Sequence, residues 1–429
     1  MAIGAVLIVL VAGCVLPDDD GFPAGLAIER VSVNSSGTEG DDESSYPSMS
    51  ADGRYVAFAS VVDLVSDDTN LVWDIFVRDR QSGAVQRVSV DASGNQGNSD
   101  SVNPSISADG RYVAFESDAT NLVAGDGNAF KDIFVYDRQS GTIERVSVDS
   151  DGAEADGPSL RCSLSADGRY VAFMSGAADL VDDDTNPVYD IFVYDRQNDS
   201  IERVSVDSAG AQADDFSEIP TISADGRYVA FRSNATNLVA GDTNGTFDVF
   251  VHDRQSGTTE RVSVDSSENQ VGGMSGFVSL SADGRYVAFE SFATTLVMGD
   301  GNGSQDIFVR DRQGGTTVRV SVDASGVEGD VASYSPWISA DGRYVAFASE
   351  ATNLVADDNN AARDIFVYDL QSGGIERVSV DSTGTEANGS SYIPSLSADG
   401  RYAAFTSSAT NLVSGDANGE NDVFVAPNG

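Results

Sequence analysis

The hexapeptide "SADGRY" occurs seven times, beginning at Ser50, Ser107, Ser165, Ser223, Ser281, Ser339 and Ser397, in steps of 57 or 58 residues. Self-similarity at a fixed period of this size marks a repeat architecture, in which no unit can bury its apolar face without its neighbours. The copies fill nearly all of the 429 residues. The chain therefore reads as one array, although its length alone would suggest two or three domains.

Each period resolves into strands. In the second copy "PSIS" (104–107), "RYVAFES" (111–117), "DIFVYDR" (132–138) and "TIERVSVD" (142–149) are short, rich in Val, Ile, Phe and Tyr, and bounded by turn residues. No stretch sustains a helical period. The first two strands are joined through Ala108-Asp109-Gly110 and the last two through "QSG", hairpin chemistry in which glycine supplies a positive φ. Four antiparallel strands per unit, seven times over, predict an all-β, seven-bladed β-propeller. The two ends fit a closed ring. The last copy stops after its third strand, "NDVFVAPNG", and a spare fourth strand, "AIERVSVN" (27–34), precedes the first "SADGRY". Pairing them completes the seventh blade and removes the open edges of a linear array.

"PSISADGRYVAFES" followed by "DIFVYDRQSGTIERVSVD" resembles the TolB-like, WD-repeat-like β-propeller repeat of bacterial extracytoplasmic proteins, over about residues 27–426. The resemblance implies the fold and an extracytoplasmic location. TolB itself joins its propeller to an N-terminal α/β domain and docks onto a peptidoglycan-associated lipoprotein; this sequence shows no such domain and a different blade count, so an envelope role is an analogy. The N-terminal "MAIGAVLIVLVAGC" is apolar, too short to span a bilayer as a helix, and ends in Val11-Ala12-Gly13-Cys14, which resembles a bacterial lipobox. The expectation is a signal segment over 1–14, lipidation at Cys14, a tether over 15–26, and membrane contact only through that anchor. No Lys or Arg precedes the apolar run, which departs from the usual signal pattern. Cys162, the other cysteine, stands where other copies have Pro47, Pro104, Pro220, Pro336 or Pro394. No disulfide framework follows from it, and it reads as a small apolar residue.

Acidic residues number 68 against 25 basic ones, a formal net charge of −43, with Lys131 the single lysine. Nucleic acid is excluded as a partner because both surfaces would repel. Such a charge suits solubility, cation binding or a saline setting, and a monomer is expected. In a propeller the turns joining strands one to two and three to four share one face. All basic residues except Lys131, Arg161 and Arg363 fall in that set of turns or in the strands, and the arginine of "ERVSV" is expected near the hairpins. The opposite connections are about thirteen residues long and acidic, and long loops on a rigid scaffold usually carry function, so this acidic face is expected to be presented to a protein or glycan partner.

Those loops repeat Asp, any residue, Asn, three residues, Asp. The sets are Asp68, Asn70, Asp74 in blade one; Asp126, Asn128, Asp132 in blade two; Asp184, Asn186, Asp190 in blade three; Asp242, Asn244, Asp248 in blade four. Blades five to seven carry Asp300, Asn302, Asp306; Asp358, Asn360, Asp364; and Asp416, Asn418, Asp422. Oxygen side chains so spaced can converge on a hard cation, and Ca²⁺, which takes about 6 to 8 oxygen ligands, is the metal predicted. The spacing resembles the calcium loops of integrin-type propellers, shortened and without their middle Asp, and it lacks the twelfth-position Glu of an EF-hand. The competing reading is a metal-free staple, with Asp and Asn accepting nearby backbone amides.

No nucleophile elbow, H-E-x-x-H or phosphate-binding glycine loop is present, and the sole histidine, His252, occupies a position held elsewhere by Tyr136, Tyr194 or Arg310. The chain is read as a non-enzyme, with a carboxylate-based hydrolase as the alternative, recognisable by two carboxylates about 5–10 Å apart at the channel. What breaks the repeat around the first strand is a set of candidate ligand-binding residues at the channel mouth: Tyr46, Arg161, Glu218, Phe277, Tyr334, Trp337 and Tyr392. Aromatics with an arginine on a concave rim suit a protein or glycan partner.

Overall fold

The computed structural model describes residues 27–429, and these form seven four-stranded antiparallel sheets with no helix among the described residues. In blade two the strands are Ser101–Ile106, Tyr112–Ser117, Asp132–Asp137 and Thr142–Arg145, hydrogen-bonded in that order. The seventh sheet closes the ring as expected: Glu29–Arg30 pairs antiparallel with Asp422–Pro427, Glu29 opposite Val425 and Arg30 opposite Phe424. The Val31 N–H extends this seam to the Val423 carbonyl at 2.8 Å. Two boundaries differ from the sequence reading. The first strand begins three residues before Pro104, and the fourth ends at Arg145 because Val148 turns away to bridge Glu154.

The second and third strands, "YVAF" and "DIFV", read as nearly unbroken apolar runs because both faces of each blade are covered by neighbouring blades. Phe115 and Phe134 are fully buried and their rings stack at 6.0 Å, and the pair recurs in every blade from Phe58–Phe76 to Phe405–Phe424. The core is thus seven slabs between blades, each needing its neighbour.

At the hairpin end a closed ring of amide bonds encircles the axis. Ala51 N–H donates to the Ala108 carbonyl at 3.0 Å, Ala108 to Ala166 at 2.9 Å, and so on through Ala398, which donates back to Ala51 at 2.9 Å. Gly110 holds its turn at φ 72°, and a Cβ there would sit 2.2 Å from the Tyr55 ring of the preceding blade, so glycine is required twice over. Tyr55 lies between two guanidinium groups, Arg54 at 4.8 Å and Arg138 at 4.5 Å. Arg54 also donates in a fork to Asp79 at 2.9 and 2.7 Å, and Arg138 Nη1 donates to the Gly110 carbonyl at 2.6 Å. The belt is interrupted at Leu370, which takes the place of such an arginine beside Val318.

Candidate functional site

The repeated acidic loops lie at the end opposite the hairpins, and most of the motif's contacts recur from blade to blade. The Asn amide donates to a carbonyl in the connection to the next blade: Asn70 to Gly97 at 2.7 Å, Asn302 to Gly329 at 2.8 Å, Asn418 to Gly40 at 3.0 Å. In blades two to seven the Asn Oδ1 accepts the backbone N–H two residues on, as from Phe130 to Asn128 at 2.8 Å, an Asx-turn. The final Asp is buried and accepts the serine hydroxyl of "RVS", Ser147 to Asp132 at 2.5 Å and Ser321 to Asp306 at 2.5 Å. That serine oxygen in turn accepts the N–H of the next residue, Ile133 at 3.1 Å.

The sequence reading misplaced one cation in each blade. The arginine of "ERVSV" does not sit with the hairpins. It ends the fourth strand at the long-loop face and enters the carboxylate cluster, because that strand runs away from its hairpin. Arg319 Nη1 lies 3.6 Å from Asp300, 3.2 Å from Asp306 and 2.6 Å from Glu328. Arg87, Arg145, Arg203, Arg261, Arg377 and Arg30 do the same in the other blades. A further residue, outside the predicted motif, completes each cluster: an amide at Gln96, Gln212 and Gln270, an acid at Glu39, Glu154, Glu328 and Glu386. Gln212 donates to Asp184 at 2.7 Å and Asp190 at 2.9 Å, and Gln270 treats Asp242 and Asp248 alike. Where Glu39, Glu154 and Glu328 replace the amide, the buried Oδ1 atoms of Asp416, Asp126 and Asp300 have no hydrogen-bond partner. Two clusters, Glu39–Asp416–Asp422 and Asp300–Asp306–Glu328, bring their oxygens within 4.8 Å of one another and have the geometry to hold a metal ion. Burial pushes several of these carboxyls up, Asp74 to about 7 and Asp132, Asp358 and Asp416 to about 6.

The second candidate is the channel. Its inner strands share an irregularity: pairing slips between Ser45 and Ser48 in blade one and between Leu160 and Ser163 in blade three. The residue in the slip adopts a left-handed φ, 58° at Tyr46, 52° at Asn103, 55° at Arg161 and 55° at Ile219, so a bulge turns its side chain toward the axis. The enclosed space is about 380 Å³ and is lined by all seven inner strands. Of the predicted rim residues, Tyr46, Arg161, Phe277 and Trp337 line it, and no Asp or Glu does.

Glu218, Tyr334 and Tyr392 stand one residue before the bulge and are engaged elsewhere. Glu218 accepts from Arg232 at 2.6 Å. Tyr334 and Tyr392 flank Arg363, whose guanidinium lies 4.2 and 5.2 Å from their ring centres and pairs with Glu350 at 2.6 Å. Two rim-supporting residues escaped the sequence reading. Glu116 accepts the Arg161 backbone N–H at 2.9 Å and Glu290 that of Ser335 at 2.9 Å, each pinning a bulge of the next blade. The signal was present: both replace small or uncharged residues at one position of "YVAFxS" in most other copies. Burial raises Glu290 to about 7. Cys162 also lines the channel, its thiol pushed up by burial. His252 is buried with Nδ1 2.9 Å from the Thr259 hydroxyl, a packing role. Cys14 and the tether lie outside the described residues.

No family model matches the chain, and no curated protein matches it. Solved structures do. An oligogalacturonate lyase in complex with manganese superposes with a TM-score of 0.56 at 13% identity, covering 94% of each chain. The β-propeller domain of the Trilobed protease from Pyrococcus furiosus, which has an open velcro topology, gives 0.55 at 12% identity over 90% of this chain and 95% of that one. TolB from Acinetobacter baumannii gives 0.43 at 14% identity over 87% and 80%. For the lyase and the protease propeller, at 13% and 12% identity, the likeness is one of fold alone. A fold shared with a lyase and a protease does not decide whether this chain is an enzyme.

Proposed function

We propose that the chain is an extracytoplasmic binding or scaffold propeller that takes a protein or glycan partner at the channel mouth. One observation carries this reading: in a chain of net charge −43, a cavity of about 380 Å³ ringed by seven strands contains an arginine and no carboxylate. A packed, uniform channel would need no such inversion of charge. The absence of carboxylates among the lining residues also argues against the hydrolytic alternative, which needs an acid and a base facing the substrate. The long loops, tied down by their Asn and Asp staples, then form a rigid collar around the mouth.

The test is an array of glycans and peptides probed with the wild-type chain, with Thr221→Trp, and with Asp118→Asn. Thr221 is blade four's counterpart of Trp337, so a second indole there would crowd the channel, whereas Asp118 lies in a long loop. Hits lost only in Thr221→Trp support the channel. Hits lost only in Asp118→Asn would move the site to the loops. Lipid anchoring at Cys14 is tested separately, by radiolabelled fatty-acid incorporation that Cys14→Ser should abolish.

Calcium is a second reading, favoured by the buried Oδ1 atoms of Asp126, Asp300 and Asp416, which accept no hydrogen bond and have only an arginine 3.4–3.6 Å away. It would apply first to the two clusters whose three carboxylates converge, Glu39–Asp416–Asp422 and Asp300–Asp306–Glu328. A Ca²⁺-specific rise in melting temperature over EDTA and Mg²⁺ would support it by mass action; identical melting in all three would leave the arginine as the only cation.

A further inference from the structure

Arginine in this protein is almost always spoken for. Every other arginine donates a hydrogen bond or pairs with a carboxylate; among the described residues the Arg161 guanidinium alone does neither. It is exposed, while its backbone is held firmly: φ is 55°, and the N–H is anchored to Glu116, which is 3% exposed. The same left-handed φ recurs at Tyr46, Asn103, Ile219, Ser335 and Ile393, so the bulge belongs to the ring as a whole; what is particular to Arg161 is the unpaired guanidinium that the bulge carries to the channel.

Trp337 is the second departure with no structural gain. In four other blades the residue at this position is a serine whose hydroxyl accepts an N–H from the next inner strand, as Ser48 does from Ile106 at 3.1 Å and Ser279 from Ile338 at 3.0 Å. An indole cannot accept that bond. Trp337 thus forfeits a clasp between blades six and seven and remains 39% exposed on the channel.

We propose that the channel mouth binds a small organic monocarboxylate, its carboxylate paired with Arg161 and its flat body resting on Trp337. This rests on the channel mouth being the binding site, and departs from the protein or glycan reading of its occupant by assigning a small acid. The space is within the range of small-molecule pockets, which begin at about 300 Å³. A planar guanidinium recognises a carboxylate by two parallel N–H donors. The charge of the rest of the molecule supplies selectivity: one unpaired cation inside a field of −43 favours a monoanion over a polyanion, since every additional charge on the ligand meets only repulsion.

The experiment is calorimetric titration of the whole chain with phenylacetate, with its uncharged isostere phenylacetamide, and with glucuronate, repeated on Arg161→Asn and Trp337→Ser. Both variants place a residue that another blade already carries at the same position, Asn103 and Ser48, so folding is expected to survive and melting temperature verifies it. The expected result is that at least one carboxylate binds about tenfold or more tightly than the amide, that Arg161→Asn removes this difference, and that Trp337→Ser weakens acid and amide alike. Preference between phenylacetate and glucuronate distinguishes an aromatic acid from a sugar acid. Equal binding of acid and amide, lost in Trp337→Ser, would overturn the carboxylate inference while leaving the channel as the binding site. No binding of any probe to the wild type at millimolar concentration would overturn it, and so would binding that neither variant affects, which would also place the site elsewhere.

Discussion

Replacing Arg319 by Gln isolates the role of the buried arginines. Asp300 and Asp306 have side chains 2% and 0% exposed, and Glu328 completes their cluster, so the substitution leaves three carboxylates facing one another without a cation. Removing one member of a buried ion pair costs about 3–5 kcal/mol, because the remaining charge stays desolvated. For about 400 folded residues at about 2.1 cal/mol/K each, the unfolding entropy is roughly 0.85 kcal/mol/K, so the expected fall in melting temperature at pH 7.5 is about 4–6 °C. Burial already raises Asp300 and Asp306, and without Arg319 both protonate more readily, so the deficit should shrink at pH 5. Glu328→Gln is the control. It installs the amide that Gln212 uses to bond two aspartates, and stability should stay within about 1 kcal/mol of wild type or rise. Differential scanning calorimetry at one scan rate, with and without Ca²⁺, reads all of these. A change below about 1 °C in Arg319→Gln, or a deficit undiminished at pH 5, would refute the reasoning. Rescue of Arg319→Gln by Ca²⁺ alone would show that guanidinium and metal compete for one place.

Stability should peak in mildly acidic solution. Asp74, Asp132, Asp358 and Asp416 titrate at about 6–7 in the fold, above their ordinary 3.8, so their ionisation opposes folding and stability rises as pH falls from 8 to about 5.5. Asp79, Asp137, Asp253 and Asp369, held well below 3.8 by forked arginines, contribute stability above that value and lose it as pH drops further; melting curves flat from pH 8 to 5.5 would contradict this. Leu370 beside Val318 replaces the arginine–glutamate pair seen at Arg312 and Glu260, so Val318→Glu/Leu370→Arg should be more stable than its single variants imply, by a coupling of about 0.5 kcal/mol or more in a double-mutant cycle. Gly110→Ala, which meets Tyr55, should cost more than about 2 kcal/mol, whereas Gly94→Ala, at φ 84° with nothing within 4 Å, should cost about 1 kcal/mol; urea midpoints that place the two together would refute the close-packing argument.

The fold was legible because it depends on local chemistry copied seven times. "SADGRY" carries its own turn glycine, its own serine cap and the tyrosine that packs on the next blade, and the orphan strand at 27–34 announced the closure. The site was legible only in part. Tyr46, Arg161, Phe277 and Trp337 reach the channel, while Glu218, Tyr334 and Tyr392 do not, because a bulge shifts the alternation that a regular strand would give. No composition or spacing marks that bulge except the proline that follows it in five blades. The arginine clusters were missed for another reason: the direction of the fourth strand decides which face Arg319 reaches, and proximity in sequence to the hairpin pointed the wrong way.

These two classes of residue answer different demands. The Asn amide, the final Asp and the Ser of the long loops make the same hydrogen bonds in every blade, while their arginine stays among the carboxylates with partners that vary, so most of their repetition is explained by seven similar problems of anchoring a loop. A partner offers no such sevenfold problem. A ligand lying on the axis meets seven different side chains, and recognition there requires the blades to differ. Arg161, Trp337, Phe277 and Tyr46 differ where the inner strands deliver side chains to the channel, and Trp337 does so at a structural loss, the clasp that Ser48, Ser105, Ser163 and Ser279 make. A ring whose loop anchors largely recur, and whose channel side chains differ from blade to blade, has its specificity in the exceptions along the channel.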